Sequence, residues 1–131
     1  MPSQPLTRIL CVEDDDDIRR ILRLSLEKIG RMTVELVADP TQAMESMLAS
    51  RPQLVMLDWM MPGIDGPALL RKMRENPDTR SVPVIFLTAK ASQRELAELR
   101  ALGAVAAISK PFAPKDLPDQ LRAIWNALPE K

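Results

Sequence analysis

The stretch LVMLDWMMPGIDG, residues 54–66, decides the fold. Four apolar residues, Leu54 to Leu57, run directly into a carboxylate, Asp58. Trp59 and two methionines follow, then Pro62-Gly63 and Asp65-Gly66, both turn-forming pairs. A short apolar run closed by turn residues reads as a strand buried on both faces. Pro67 follows Asp65-Gly66, and proline is favoured in a helix's first turn. A helix over about 66–75 therefore comes next, with Leu69, Leu70 and Met73 inward. A buried strand that ends on an aspartate, rather than on a neutral turn residue, raises the question of a chemical role for Asp58.

The same strand-then-helix unit recurs on either side. RILCV (8–12) is an apolar run; Ile18, Ile21, Leu22, Ser25 and Ile29 then recur at helical spacing, and Gly30 is a stop. MTVELVA (32–38) alternates, which suggests an edge strand, and Asp39-Pro40-Thr41 starts a helix burying Ala43, Met44, Met47 and Leu48. The third run, QLVML, covers 53–57. VPVIFL (82–87) precedes a helix through ASQRELAELRALG that ends at Gly103. VAAIS (105–109) precedes a last helix with Leu117, Leu121, Ile124, Trp125 and Leu128 on one face. Five strands alternating with five helices predict an α/β fold, a parallel sheet doubly wound by helices on both faces. The length of 131 residues suits a single domain, 1–131, with an ordered core over about 7–128.

Composition narrows the function. Lys plus Arg and Asp plus Glu each number 18, so no basic excess points to nucleic acid or a membrane surface. The chain has no His, which excludes His-based catalysis and phosphohistidine donation by the chain itself. The single Cys11 excludes an internal disulfide and a cysteine-cluster metal site; inside its apolar run it reads as a buried small hydrophobe. MPSQPLTR lacks the apolar core of a signal peptide, and no segment approaches the roughly 18 apolar residues of a membrane span. The expected compartment is the cytoplasm. Aromatics are few, so Met44, Met47, Met56 and Met73 read as core filler rather than a partner-binding box.

In an open parallel sheet, ligands bind beyond the carboxyl ends of the strands. Glu13 and Asp14 follow the first run, Asp58 the third, Thr88 the fourth and Lys110 the fifth. If the strand order is 2-1-3-4-5, one common order of doubly wound sheets, Glu13, Asp14 and Asp58 would share one crevice flanked by Thr88 and Lys110. Asp39 lies outside it and reads as a helix cap. Two unit charges about 4 Å apart repel by roughly 4 kcal/mol at an effective dielectric of 20. Three carboxylates in one crevice therefore call for a trapped proton or a cation, and hard oxygen ligands suit Mg2+. A cation and a hydroxyl beside such a site make a place for a phosphoryl group, with Asp58 as nucleophile.

The acidic pair, the LDxxMPGxDG segment, the LTA after the fourth strand and the KPF after the fifth resemble the receiver domain of two-component response regulators, the CheY-like fold. The resemblance covers almost the whole chain. It implies that Asp58 accepts a phosphoryl group from a phosphohistidine of a sensor histidine kinase or a histidine phosphotransfer protein. It implies Asp14 as a direct Mg2+ ligand (Mn2+ being a substitute), Glu13 as one acting through water, and Asp58 and the Met60 backbone carbonyl as further ligands. Thr88 would bond the phosphoryl group and shift toward it, Lys110 would form an ion pair with it, and Lys110-Pro111 would be a cis peptide. A downstream protein target would dock on the face of the fourth helix, fifth strand and fifth helix. Its charges, among them Arg94, Glu95, Glu98, Arg100 and Arg122, are equally those of an ordinary solvated surface. Neither nucleic acid nor membrane is expected as a direct partner, nor is an external turnover substrate.

Two departures from the family pattern stand out. The aromatic residue usual three positions before the lysine is replaced by Ala107, so half of the family's switch is missing. The second is the lack of an output domain after the last helix in this sequence, which therefore resembles a single-domain receiver or a receiver cut from a longer protein. The positions flanking the path of attacking water are Met60 and Lys90, neither a carboxylate nor an amide, which implies slow self-dephosphorylation.

Other readings compete at particular residues. Asp15, Asp16 and Asp17 suit a solvated turn and helix cap at the positive end of the first helix. Thr88 is either a phosphoryl contact or a cap, and Asp65 caps the third helix. A magnesium phosphohydrolase would carry a second aspartate where Met60 stands, and a flavodoxin-like cofactor binder would need a glycine-rich loop after the first strand. A degenerate receiver acting only as a scaffold is opposed by Asp58, Thr88 and Lys110 and supported by Ala107.

Overall fold

The computed structural model describes residues 4–61, 63–89 and 92–129. The strands are β1 (Arg8–Val12), β2 (Thr33–Val37), β3 (Leu54–Asp58), β4 (Val84–Thr88) and β5 (Ala106–Ser109). The α-helices are α1 (Asp16–Arg23), α2 (Ala43–Ser50), α3 (Gly66–Glu75), α4 (Gln93–Ala101) and α5 (Leu117–Ala127). All strand pairs are parallel, in the order β2-β1-β3-β4-β5. The winding reverses between β1 and β3, which opens a crevice at their carboxyl ends.

The central strands carry side chains to two cores, as a period of two requires. Leu10, Val12, Val55, Leu57, Val84 and Phe86 face one way, against Met47, Leu69, Leu70, Met73 and Leu99 of α2, α3 and α4. Ile9, Cys11, Leu54, Met56, Ile85 and Leu87 face the other, against Leu22, Leu26, Leu117 and Leu121 of the α1 and α5 side. Every residue of β3 and β4 is buried, whereas β2 and β5 are part-exposed edges, as the alternation of 32–38 suggested for β2. Of the four methionines read as filler, Met47, Met56 and Met73 are buried and Met44 is half-buried.

The first helix departs from its expected face. Leu24–Ile29 continues α1 as a π-helical segment, and the Gly30 N–H bonds the carbonyl of Ser25, five residues back. The wider turn moves the apolar stripe out of its α-helical phase. Ile29, at the end of that segment, is exposed; Ile21, before it, is exposed as well, and Leu26, absent from the expected face, is buried four residues on from Leu22. Leu48, expected inside, is also exposed, and Ile124, Trp125 and Leu128 are half-buried. Gly66 is required by close approach. A Cβ there would lie 2.6 Å from both the Asp58 carbonyl oxygen and Phe86 Cε1. Glycine thus lets α3 start against the end of β3.

Candidate functional site

Each strand end delivers one polar group to the crevice. Asp58 and Thr88 are the last residues of β3 and β4, and both are buried. Glu13 lies one residue past β1, where its N–H donates to the Val37 carbonyl at 3.0 Å. Its side chain is fully buried, while Asp14 next to it is exposed. Carboxylate oxygens of Glu13, Asp14 and Asp58 lie within 4.8 Å of one another.

Lys110 enters from the loop after β5. Its N–H donates to the Thr88 carbonyl at 2.8 Å, and the Lys110-Pro111 peptide is cis. The ammonium Nζ donates to Asp58 Oδ1 at 3.0 Å and stands 2.8 Å from Glu13 Oε1. The second contact is an ion pair without good hydrogen-bond geometry, since Glu13 Oε1 has no such bond. The Met60 N–H points to Asp58 Oδ1 at 3.4 Å, a long bond, and the Met60 side chain is 72% exposed.

The electrostatics are those of crowded carboxylates. Burial pushes the Glu13 carboxyl up to about 7; Lys110 opposes the rise and Asp58 adds to it. Burial disfavours the Lys110 ammonium, but Glu13 and Asp58 outweigh it and its pKa rises. Burial, helped by Glu13, also pushes the Cys11 thiol up, so this cysteine is an inert part of the core. Three carboxylates facing one ammonium leave two formal negative charges. The donor set is all oxygen, with the buried carboxylates of Glu13 and Asp58 and the exposed one of Asp14, and this fits a hard divalent cation.

Neighbouring acids have structural roles. Asp15 caps α1 by accepting from the N–H groups of Asp17 and Ile18, with Asp16 and Asp17 in the first turn. Asp65 caps α3 by accepting from Ala68 N–H, and Asp39 accepts from Thr41 N–H. Ser92, not Thr88, is the N-cap of α4, so the alternative role for Thr88 lapses. Ala107 pairs with Phe86 across β4 and β5. It lines a hollow of about 130 Å³ with Leu96, Leu99, Arg100, Ala104 and Ala106. Lys90, the other residue read as flanking the water path, lies outside the described residues.

Sequence reasoning missed the contacts that brace this site. Arg19 reaches back to the Glu13 carbonyl at 2.9 Å. Ser25 donates to the Pro114 carbonyl at 2.6 Å, tying the first helix to the loop that follows Lys110-Pro111. Helical spacing between Asp16 and Arg19 hints at their ion pair, but nothing local signals the bonds to distant carbonyls.

Comparison with known proteins identifies the family. Residues 9–122 match the family model of the response regulator receiver domain. The chain is 36% identical over 117 residues to the phosphate regulon transcriptional regulatory protein PhoB of Pseudomonas aeruginosa, covering 88% of this chain and 50% of that protein. It is 39% identical over 118 residues to the transcriptional regulatory protein CseB of Streptomyces coelicolor, covering 90% and 49%. The chain thus spans about half the length of the curated relatives it matches. Among solved structures, the chemotaxis protein CheY4 of Vibrio cholerae superposes with a TM-score of 0.83 at 27% identity, over 91% of this chain and 98% of that one. A putative response regulator from Chloroflexus aurantiacus does so with 0.82 at 30%, over 94% and 99%.

Proposed function

The chain belongs to the response regulator receiver family of two-component signalling, and from that premise we propose that Asp58 takes a phosphoryl group from a phosphohistidine of a partner protein and so switches protein contacts. The observation that carries the reading is the convergence of Glu13, Asp14 and Asp58 with the Lys110 ammonium at adjoining strand ends.

In the reaction, an Asp58 carboxylate oxygen attacks phosphorus in line with the donor's P–N bond. A P–O bond forms, the P–N bond breaks, and the histidine leaves with the electron pair and takes up a proton. The product is an acyl phosphate. Lys110, already held at Asp58 Oδ1, pairs with the negative oxygens that develop on phosphorus. Thr88, at the adjoining strand end, bonds one of them. Glu13, Asp14, Asp58 and the Met60 carbonyl would hold magnesium (manganese as a substitute), with Glu13 acting through water. That ion would supply positive charge against the crowded carboxylates and the incoming phosphoryl group. Met60 offers no carboxylate or amide to orient water, which supports slow loss of the phosphoryl group.

The donor is a sensor histidine kinase or a histidine phosphotransfer protein, and the target docks on the α4–β5–α5 face. The retained acceptor, hydroxyl and cation argue against a scaffold without a switch. Neither nucleic acid nor a membrane is a direct partner in this reading. The net charge is zero, and among the described residues no helix is long and apolar enough to cross a membrane.

The test is exposure to a phosphoramidate donor with magnesium, read by intact-protein mass. The wild type is expected to gain one phosphoryl mass, and Asp58→Asn none. A wild type left unmodified, or an Asp58→Asn variant modified to the same extent, would overturn the assignment. Following the loss of that mass checks the second point: decay within seconds would contradict slow dephosphorylation.

A further inference from the structure

We propose that Arg19 is a positioning residue for the metal site, fixing the backbone from which Glu13 and Asp14 project and so setting magnesium affinity. The inference rests on the metal reading above.

The turn after β1 is held from several sides. The Glu13 N–H donates to the Val37 carbonyl of β2 at 3.0 Å. The Glu13 carbonyl accepts from Arg19 Nη1 at 2.9 Å. The Asp15 N–H turns back to Glu13 Oε2 at 3.2 Å, while Asp15 itself caps α1. Arg19 completes this frame from inside α1. Its other terminal nitrogen pairs with Asp16 in the first turn of the helix. One planar guanidinium thus links the end of a strand to the start of the next helix, and the link spans Asp14. A lysine cannot reproduce this fork, because it presents a point charge on a flexible stem. Arg19 is accordingly the sheltered arginine of the helix, its side chain 20% exposed. Arg20 next to it is 78% exposed and, among the described residues, pairs with Asp17 on its own helix.

The charge of Arg19 and its geometry act on metal affinity with opposite signs. A guanidinium held to the backbone of the loop that carries metal ligands repels an incoming cation, so deleting it for charge alone tightens binding. Deleting a group that aims metal ligands weakens binding, typically by about 10–100-fold. The sign therefore separates the two roles, and Arg20→Met serves as the charge-only control.

Magnesium is titrated by calorimetry at fixed ionic strength into the wild type, Arg19→Met and Arg20→Met. We expect Arg19→Met to bind about tenfold more weakly, at the lower end of that range. Arg20→Met should bind as tightly as the wild type or slightly more so. Melting in chelator checks that Arg19→Met is folded. Should that variant melt early, Arg19→Lys carries the same test, since it keeps the charge and loses the fork: weaker binding supports the role and unchanged binding overturns it. Arg19→Met binding as tightly as the wild type, or more tightly, overturns the positioning role and leaves the metal site standing. A wild type without any magnesium heat overturns the site itself, and this proposal with it.

Discussion

Glu13→Gln should abolish a pH dependence of stability that the metal-free wild type shows. Burial raises the Glu13 carboxyl from 4.5 to about 7, so the folded chain binds this proton more tightly than the unfolded chain does. A raised carboxyl contributes stability that is full below pH 4.5 and is lost as pH climbs through about 7. At about 1.4 kcal/mol per pH unit, the whole effect is about 3 kcal/mol. Roughly 2.5 kcal/mol of it falls between pH 5 and pH 8 on integrating the proton linkage. Lys110 does not interfere, because its raised pKa contributes stability that is lost only in strong alkali. Asp39, lowered by its bonds from Thr41, acts in the opposite direction and only in more acid solution. The assay is urea unfolding in chelator at pH 5, 6, 7 and 8. The wild type should weaken steadily across the series, and the glutamine variant should be nearly flat. Saturating magnesium should flatten the wild-type curve as well, because metal binding displaces the ligand's proton. A metal-free wild type as stable at pH 8 as at pH 5, or a glutamine variant with the same slope, would refute the trapped-proton argument.

Lys110→Met leaves two buried carboxylates without their common cation; it should cost about 3 kcal/mol near pH 8 in chelator, with magnesium restoring part of the loss in urea titrations. Gly66→Ala forces a Cβ into the Asp58 carbonyl and the Phe86 ring. A loss of about 1–3 kcal/mol is expected, and melting curves matching the wild type would show that the close approach relaxes freely. Arg74 donates to the carbonyls of Arg80, Val82 and Gly103 beyond the amino ends of β4 and β5, and burial lowers its pKa. Arg74→Met should cost about 2 kcal/mol in urea unfolding while leaving the phosphorylated mass unchanged, because the site stands at the opposite strand ends.

Much of the architecture was written locally. The apolar runs at 8–12, 53–57 and 82–87 announce strands because a strand buried on both faces leaves no room for polar side chains. Asp39, Asp65 and Pro67 mark helix starts because the first turn leaves N–H groups to be capped and tolerates proline. Helical phase proved less readable. The π-helical turn ending at Gly30 takes Ile29 off the face that an α-helical template gives it, while Leu26, four residues on from Leu22, is buried where such a template places it.

The candidate site divides in the same way. Glu13, Asp14, Asp58, Thr88 and Lys110 were identifiable as polar residues interrupting apolar runs at strand ends. Their convergence could be read only with a strand order taken from similar folds, since it requires β3 to lie between β1 and β4. The spanning contacts from Arg19, Ser25 and Arg74 were invisible for a related reason: their acceptors are backbone carbonyls, and every residue has one.

The order of residues by itself determined the number and kind of elements and which side chains would end each strand, because both follow from periodicity and burial within a few neighbours. Tertiary structure alone decided that Lys110 stands between Glu13 and Asp58, that Gly66 must lack a Cβ, and that a buried glutamate holds its proton to near neutrality. Each of these depends on distances between segments remote in the chain, and electrostatic and steric forces act on those distances rather than on position in sequence.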